Sequence, residues 1–313
     1  MGKKTKKKVK IVPLMILIIM IVGSIGTYIG YEYYQKINSL EYKLAEIGYN
    51  ETQIEEIKKL DNDKINFILN REYDEYTYKF ISEKYYIKEN LNDYLTYKKE
   101  HDEYEISDII ARVNVGLIKD FYEDSKKTDI SKGILMLVNK YNYLDENYDP
   151  EDLKAVPLTY AFSGKKLKEE AYEAFINMAS AAKKEGLTLL ANSAYRDYEY
   201  QNKLYKDYMN NHGQAWADSY AARPGYSEHQ TGLVVDVSTL KNTMDDFEET
   251  DEFKWISQHC YEYGFILRYP KNKEYLTGYN YESWHYRYVG VKVAKEIQEL
   301  GITFDEYYAF YLK

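Results

Sequence analysis

The chain has 313 residues, 45% hydrophobic and 30% charged, which excludes both a disordered chain and a polytopic membrane protein and is enough for a well-buried domain plus an accessory region. Its net charge of -9 argues against nucleic acid as a partner, because neutralising phosphates needs a basic face. The single cysteine, Cys260, excludes an intramolecular disulfide.

Residues 1–10 form a basic segment carrying six lysines, and residues 11–30 follow without a charge, rich in Ile, Leu, Val and Met. Twenty apolar residues at about 1.5 Å each span the ~30 Å hydrocarbon layer. The lysines on the N-terminal side predict a single-pass signal anchor in the cytoplasmic membrane, with everything after Gly30 extracytoplasmic. The small residues Gly23-Ser24-Ile25-Gly26 offer the alternative of secretion after signal cleavage, but no Ala-x-Ala triplet follows.

Residues 31–130 are dense in Glu, Lys and Tyr with helical spacing, and are expected to be a helical spacer or accessory region. Asn50 to Gln53 reads as a capping box, and Asp63 as the cap of the next helix. No ligand or nucleophile constellation occurs there, and His101 reads as a solvated surface residue.

Residues 131–313 change character. Gly133 to Val138 is a strand candidate, Leu167 to Met178 has helical spacing closed by Gly186, and Leu187 to Ala191 is a strand. A helix from about Tyr198 to Met209, a strand over Val234 to Val237 and a helix ending at Gly264 follow. A strand over Tyr281 to Val289 precedes a helix over Val291 to Leu300 and a last short one capped from Thr303. Without regular βα alternation, this mixture predicts an α+β fold with a small antiparallel sheet flanked by helices.

Chemistry concentrates in two stretches. Ser227 to Asp236 reads SEHQTGLVVD, with His229 before a glycine turn and Asp236 inside an apolar strand. A carboxylate in such a strand is costly unless it is paired or bound to metal. Glu282-Ser283-Trp284-His285 supplies a second histidine and a carboxylate. Three protein donors leaving one position open is the pattern of catalytic zinc. In a regular strand Glu282 and His285 face opposite ways, so a bulge or a turn of helix must bring them together. Each residue taken singly also has a structural reading: a satisfied core histidine, a strand aspartate paired with an arginine, a surface glutamate. His212 reads as a helix end and Cys260 as a buried thiol, while Arg268 and Arg287 either pair with carboxylates in the fold or reach substrate.

The motif Ser227-x-His229-x-x-Gly232-x-x-x-Asp236 followed by Glu282-x-Trp284-His285 resembles the zinc D-alanyl-D-alanine carboxypeptidase family, which includes the VanY-type and LdcB-type peptidoglycan carboxypeptidases of the M15B group. The resemblance extends from about Gly133 to Gly290 and includes Ser193-x-Tyr195-Arg196-x-x-x-x-Gln201. It implies the D-Ala-D-Ala carboxypeptidase/Hedgehog-like zinc peptidase fold and Zn2+ held by His229, Asp236 and His285. Glu282 would be the catalytic base, Arg196 would neutralise the oxyanion or the substrate carboxylate, and Ser193, Gln201, Ser227 and Trp284 would line the substrate pocket. The implied activity is removal of the terminal D-alanine from peptidoglycan stem peptides, by D,D or L,D cleavage. The competing function is a cell-wall-binding or regulatory membrane protein using the same pocket without turnover. Two departures from the pattern, Ser283 where the family often has proline and Val234 where it often has alanine, touch no ligand.

Overall fold

A computed structural model describes residues 11–312 except 242, 243 and 245, with the side chains of residues 11–14 left undescribed. The lysine-rich segment 1–10 lies outside the described residues. The chain divides into two compact units, Met1–Leu91 and Asn92–Lys313.

The first unit opens with α1 (Ile11–Asn38), in which Met15–Asn38 is long and apolar enough to cross a membrane, at a mean hydropathy of 1.7. Its described apolar side chains are exposed, and Tyr28, Tyr31, Tyr33 and Tyr34 gather where the apolar run ends. Short helices follow: α2 (Leu40–Ile47), α3 (Glu51–Ile57), α4 (Asn62–Leu69) and α5 (Thr77–Ser82). Asn50 and Gln53 form the expected capping box. The cap of α4 is Asp61 rather than Asp63: its side chain accepts from the Lys64 amide, and Asp63 falls inside the first turn. Leu44, Ile54, Ile57, Ile68 and Ile81 make this unit's own core.

The second unit contains all but the first residue of α6 (Leu91–Glu100), then α7 (Ile106–Val115), β1 (Lys126–Lys127), β2 (Asn142–Tyr143), β3 (Leu153–Ala155), β4 (Lys166–Lys168), α8 (Glu169–Lys184) and β5 (Leu190–Ser193). After these come α9 (Tyr198–His212), α10 (Gln214–Tyr220), β6 (Val234–Ser238), α11 (Asp251–His259), β7 (Phe265–Leu267), α12 (Glu274–Thr277), β8 (His285–Tyr288), α13 (Val291–Leu300) and α14 (Phe304–Tyr307). The main sheet is four-stranded and antiparallel, in the order β5-β6-β8-β7. It is the small helix-flanked antiparallel sheet of an α+β fold, as the sequence predicts.

The sheet has two chemically different faces, because successive side chains of a strand point opposite ways. Val235 and Val237 of β6, Phe265 of β7 and Tyr286 of β8 join Phe175, Met178 and Ala182 of α8 and Ile256 of α11 in the main core. Full burial of each large apolar side chain contributes about 1.5–3 kcal/mol. The alternate positions, Asp236 on β6 with His285 and Arg287 on β8, therefore share the opposite face. Ile266 turns to a smaller cluster with α13 and Phe304.

Two expected strands are corrected. Gly133 to Val138 begins as part of a 3-10 helix over Ile130–Leu135, in which Gly133 has φ 57°, and it joins no sheet. The carbonyls of Ile134 and Met136 instead accept from the Arg287 guanidinium at 2.9 and 2.8 Å, so a buried side chain takes the acceptors that a sheet neighbour would use. The expected strand over Tyr281 to Val289 shrinks to His285–Tyr288, because the chain turns at Glu282. Leu167 belongs to β4 rather than to α8.

Candidate active site

His229 is placed by a short 3-10 helix, Glu228–Thr231. The Ser227 side chain caps it by accepting from the His229 amide, and Gly232 ends it with φ 71°. A side chain at Gly232 would also meet the Lys168 amide nitrogen at 3.2 Å, so glycine is required there on both counts. Asp236 stands in the central strand directly opposite His285 of β8, and on its other side it pairs with Ser193. Two donors thus come from facing positions of adjacent strands and the third from the turn that feeds β6.

One ligand atom from each of His229, Asp236 and His285 lies within 4.8 Å of the others, and all three residues are buried. His229 Nε2 is 3.3 Å from Asp236 Oδ2, and His285 Nδ1 is 3.2 Å from Asp236 Oδ1. Donors about 2.0–2.2 Å from a tetrahedral zinc stand roughly 3.3–3.6 Å apart, so each histidine–aspartate pair is near that spacing and the group could hold a metal ion. His229 Nδ1 lies 2.6 Å from the Ala194 carbonyl. A carbonyl can only accept, so Nδ1 carries the proton and the Nε2 lone pair is directed into the site.

The turn that sequence reasoning requires at Glu282 is present. The His285 amide bonds the Glu282 carbonyl at 3.4 Å, and Glu282 Oε2 lies 3.2 Å from His285 Nδ1. Burial alone would depress the His285 imidazole, but Asp236, Glu228 and Glu282 outweigh it and hold it well above its ordinary value. His229 behaves in the opposite way: burial, with the Arg196 guanidinium nearby, brings it down to about 4. Burial raises Asp236, yet the two imidazoles outweigh that and keep it ionised, well below the usual carboxylate range. Buried carboxylates crowded around neutral-capable imidazoles make a pocket suited to a cation.

These residues line a cavity of about 440 Å³. Arg196, Gln201, Ser227, Glu282 and Trp284 face it as well. The Arg196 Nε is buried and has no hydrogen-bond partner among the described residues. Gln201 is anchored by its amide to the Ala222 carbonyl at 2.7 Å. Ser193 is not among the lining residues; the β5–β6 register places it beside Asp236 in the sheet. Tyr208, Trp216 and Tyr220 of α9 and α10, with Tyr269 and Tyr279, add an aromatic wall that the motifs did not point to.

Glu228 was also missed. It is fully buried and holds both arginines whose role the sequence left open: Arg268 Nε and Arg287 Nη1 each donate to its Oε1 at 2.9 Å. Although burial raises its pKa, these guanidiniums keep it ionised. The signal was the arginines themselves, since a guanidinium in an apolar strand demands a buried carboxylate. Cys260 is a buried thiol pushed up to about 12 by burial, and His212 ends α9, both as expected.

A cavity that joins metal-type donors, an adjacent carboxylate and a guanidinium whose Nε has no partner among the described residues is equipped to activate water and to stabilise an anion, which is the work of a hydrolase. The comparisons with known proteins narrow that class. The family model VanY: D-alanyl-D-alanine carboxypeptidase matches residues 164–291. YodJ of Bacillus subtilis (strain 168) is 42% identical over 201 residues, covering 60% of this chain and 74% of that protein. A D-alanyl-D-alanine carboxypeptidase of Enterococcus faecium is 33% identical over 227 residues, covering 70% of this chain and 65% of its own length. The solved structure of the LdcB LD-carboxypeptidase superposes with a TM-score of 0.57 at 40% identity, covering 60% of this chain and 91% of that one. The chain belongs to the VanY D-alanyl-D-alanine carboxypeptidase family and is a carboxypeptidase.

Proposed function

We propose that the protein is a zinc-dependent carboxypeptidase that removes the C-terminal D-alanine from peptidoglycan stem peptides. One observation carries this reading: His229, Asp236 and His285 converge within 4.8 Å, with the Glu282 carboxylate 3.2 Å from His285 in the same cavity. The donor set, two imidazoles and a carboxylate, fits zinc. When bound, zinc would supply Lewis-acid polarisation and bring the pKa of a bound water to about 7.

In this reading Glu282 accepts a proton from the attacking water and returns it to the nitrogen of the departing D-alanine. The Arg196 guanidinium, whose Nε has no partner among the described residues, is available to the anionic oxygen or to the terminal carboxylate. Gln201, Ser227 and Trp284 line the peptide-binding cavity, and the Ala222 carbonyl holds the Gln201 amide in place. Ser193, paired with Asp236 across β5 and β6 and outside the cavity lining, is the remaining residue of the proposed substrate set.

We further infer that α1 anchors the protein in the cytoplasmic membrane, with the catalytic domain of residues 131–313 outside and residues 31–130 as its spacer. The exposed Tyr28, Tyr31, Tyr33 and Tyr34 after the apolar run suit an interfacial aromatic belt, which a cleaved signal would not need. The relatives include both a D-alanyl-D-alanine carboxypeptidase and an LD-carboxypeptidase. Incubating the full chain in detergent with zinc and synthetic penta- and tetrapeptide stems, followed by mass spectrometry, tests the reading. Loss of one D-alanine from either peptide supports it and assigns D,D or L,D specificity. A zinc-loaded protein that binds both peptides and cleaves neither would make it the non-catalytic wall binder.

A further inference from the structure

The buried face of the site holds a charged group that the proposed chemistry does not use. Glu228 Oε1 takes both guanidiniums, leaving Oε2 free. Oε2 lies 3.7 Å from His285 Nε2, and both atoms are buried without a hydrogen-bond partner among the described residues. The gap is longer than a hydrogen bond, so the pairing inferred below requires the ring to tilt toward Glu228. On its other edge His285 presents Nδ1 to Asp236 and Glu282, each at 3.2 Å.

We propose that Glu228 is a positioning residue: clamped by Arg268 and Arg287, it accepts the Nε2 proton of His285 and so fixes the tautomer whose Nδ1 lone pair is offered to the metal. The opposite tautomer would turn an imidazole lone pair toward a buried carboxylate, which is repulsive and leaves both atoms unsatisfied. Histidine ligands commonly depend on such a partner for ring orientation and basicity. The clamp also sets the carboxylate's own orientation. Arg268 is fixed from behind by Asp305, with a contact of 2.5 Å, and Asp305 accepts in turn from the Asn139 amide at 2.8 Å. Arg287 is fixed by the two carbonyls that replace the expected strand. The chain of contacts therefore runs from the C-terminal α14 to a ligand in the middle of the sheet.

The inference rests on the zinc reading but is tested separately from it, by 15N NMR of the His285 ring in the zinc-loaded full chain in detergent. A proton on Nε2 and a metal-bound Nδ1 are expected. Zinc bound through Nε2 would overturn the inference while leaving the proposed function standing, whereas a wild-type chain that binds no zinc would overturn both. Glu228→Gln gives a second test. Its carboxamide oxygen must face the guanidiniums, so its NH2 points at His285 and forces the proton onto Nδ1. We expect a tautomer switch and zinc affinity reduced by about 10–100-fold in chelator competition. Should Glu228→Gln fold, keep the wild-type tautomer and bind zinc equally well, the carboxylate is only a structural ion-pair partner.

Discussion

Replacing Glu282 with glutamine removes the proposed base and almost nothing else. The side chain is 16% exposed, and its polar contact among the described residues is with His285, at 3.2 Å. Glutamine keeps the volume, so folding stability should stay within about 0.5 kcal/mol. Zinc content should also be retained, because Glu282 is not one of the three converging donors. General base catalysis by a positioned group is worth about 10²–10⁴-fold. At about 1.36 kcal/mol per tenfold, Glu282→Gln should raise the barrier by roughly 3–5 kcal/mol. The loss should fall on kcat with KM little changed, since the carboxylate meets the water rather than the peptide. A coupled assay for released D-alanine, run beside metal analysis on the same samples, measures both quantities. A variant with full zinc and kcat within threefold of wild type would show that another group takes the proton. Zinc lost in proportion to activity would make Glu282 a ligand instead.

Other outcomes follow from the same geometry. His285→Ala should lose zinc and the melting-temperature gain that zinc gives the wild type, because ligand binding energy is also folding energy; calorimetry with and without metal checks it. Arg196→Ala should keep zinc but lower kcat by about 10²–10³-fold, the range for one oxyanion donor, readable in the same D-alanine assay. Gly264→Ala should destabilise by roughly 2–4 kcal/mol, because φ is +84° and the new Cβ would lie 2.9 Å from the Val291 amide nitrogen; thermal melting reads this. Lys140, buried against Phe121 and Tyr279, has its ammonium lowered by burial from 10.5 to about 8. Its folded pKa lies below its unfolded value, so the destabilising effect is complete below pH 8 and disappears as pH rises toward 10.5. Relative to Lys140→Met, the wild type should gain up to about 3 kcal/mol over that interval in urea titrations.

Much of this site was readable in the chain because its signals are violations of local rules. Asp236 is a charge inside Val234-Val235-Asp236-Val237, and burial without a partner would be prohibitive. His285 and Glu282 can be paired from the sequence alone, provided the chain turns between them, and it does. What stayed hidden depends on distant partners. Glu228 sits beside His229 like any helix-turn residue, and only its contacts with Arg268 and Arg287, 40 and 59 positions away, distinguish it. Gly133 to Val138 has strand composition, yet its carbonyls serve a guanidinium 151 and 153 residues along the chain. The aromatic wall from α9 and α10 consists of ordinary helix residues until their packing beside the cavity is known.

The most direct measurement is the zinc K-edge absorption spectrum of the purified full chain, with its metal stoichiometry. One zinc per chain, with two imidazole nitrogens near 2.0–2.1 Å and a carboxylate oxygen near 2.0–2.2 Å, is the expected result. Spectra unchanged in His229→Ala or Asp236→Ala, or a chain that holds no zinc at micromolar concentration, would contradict it.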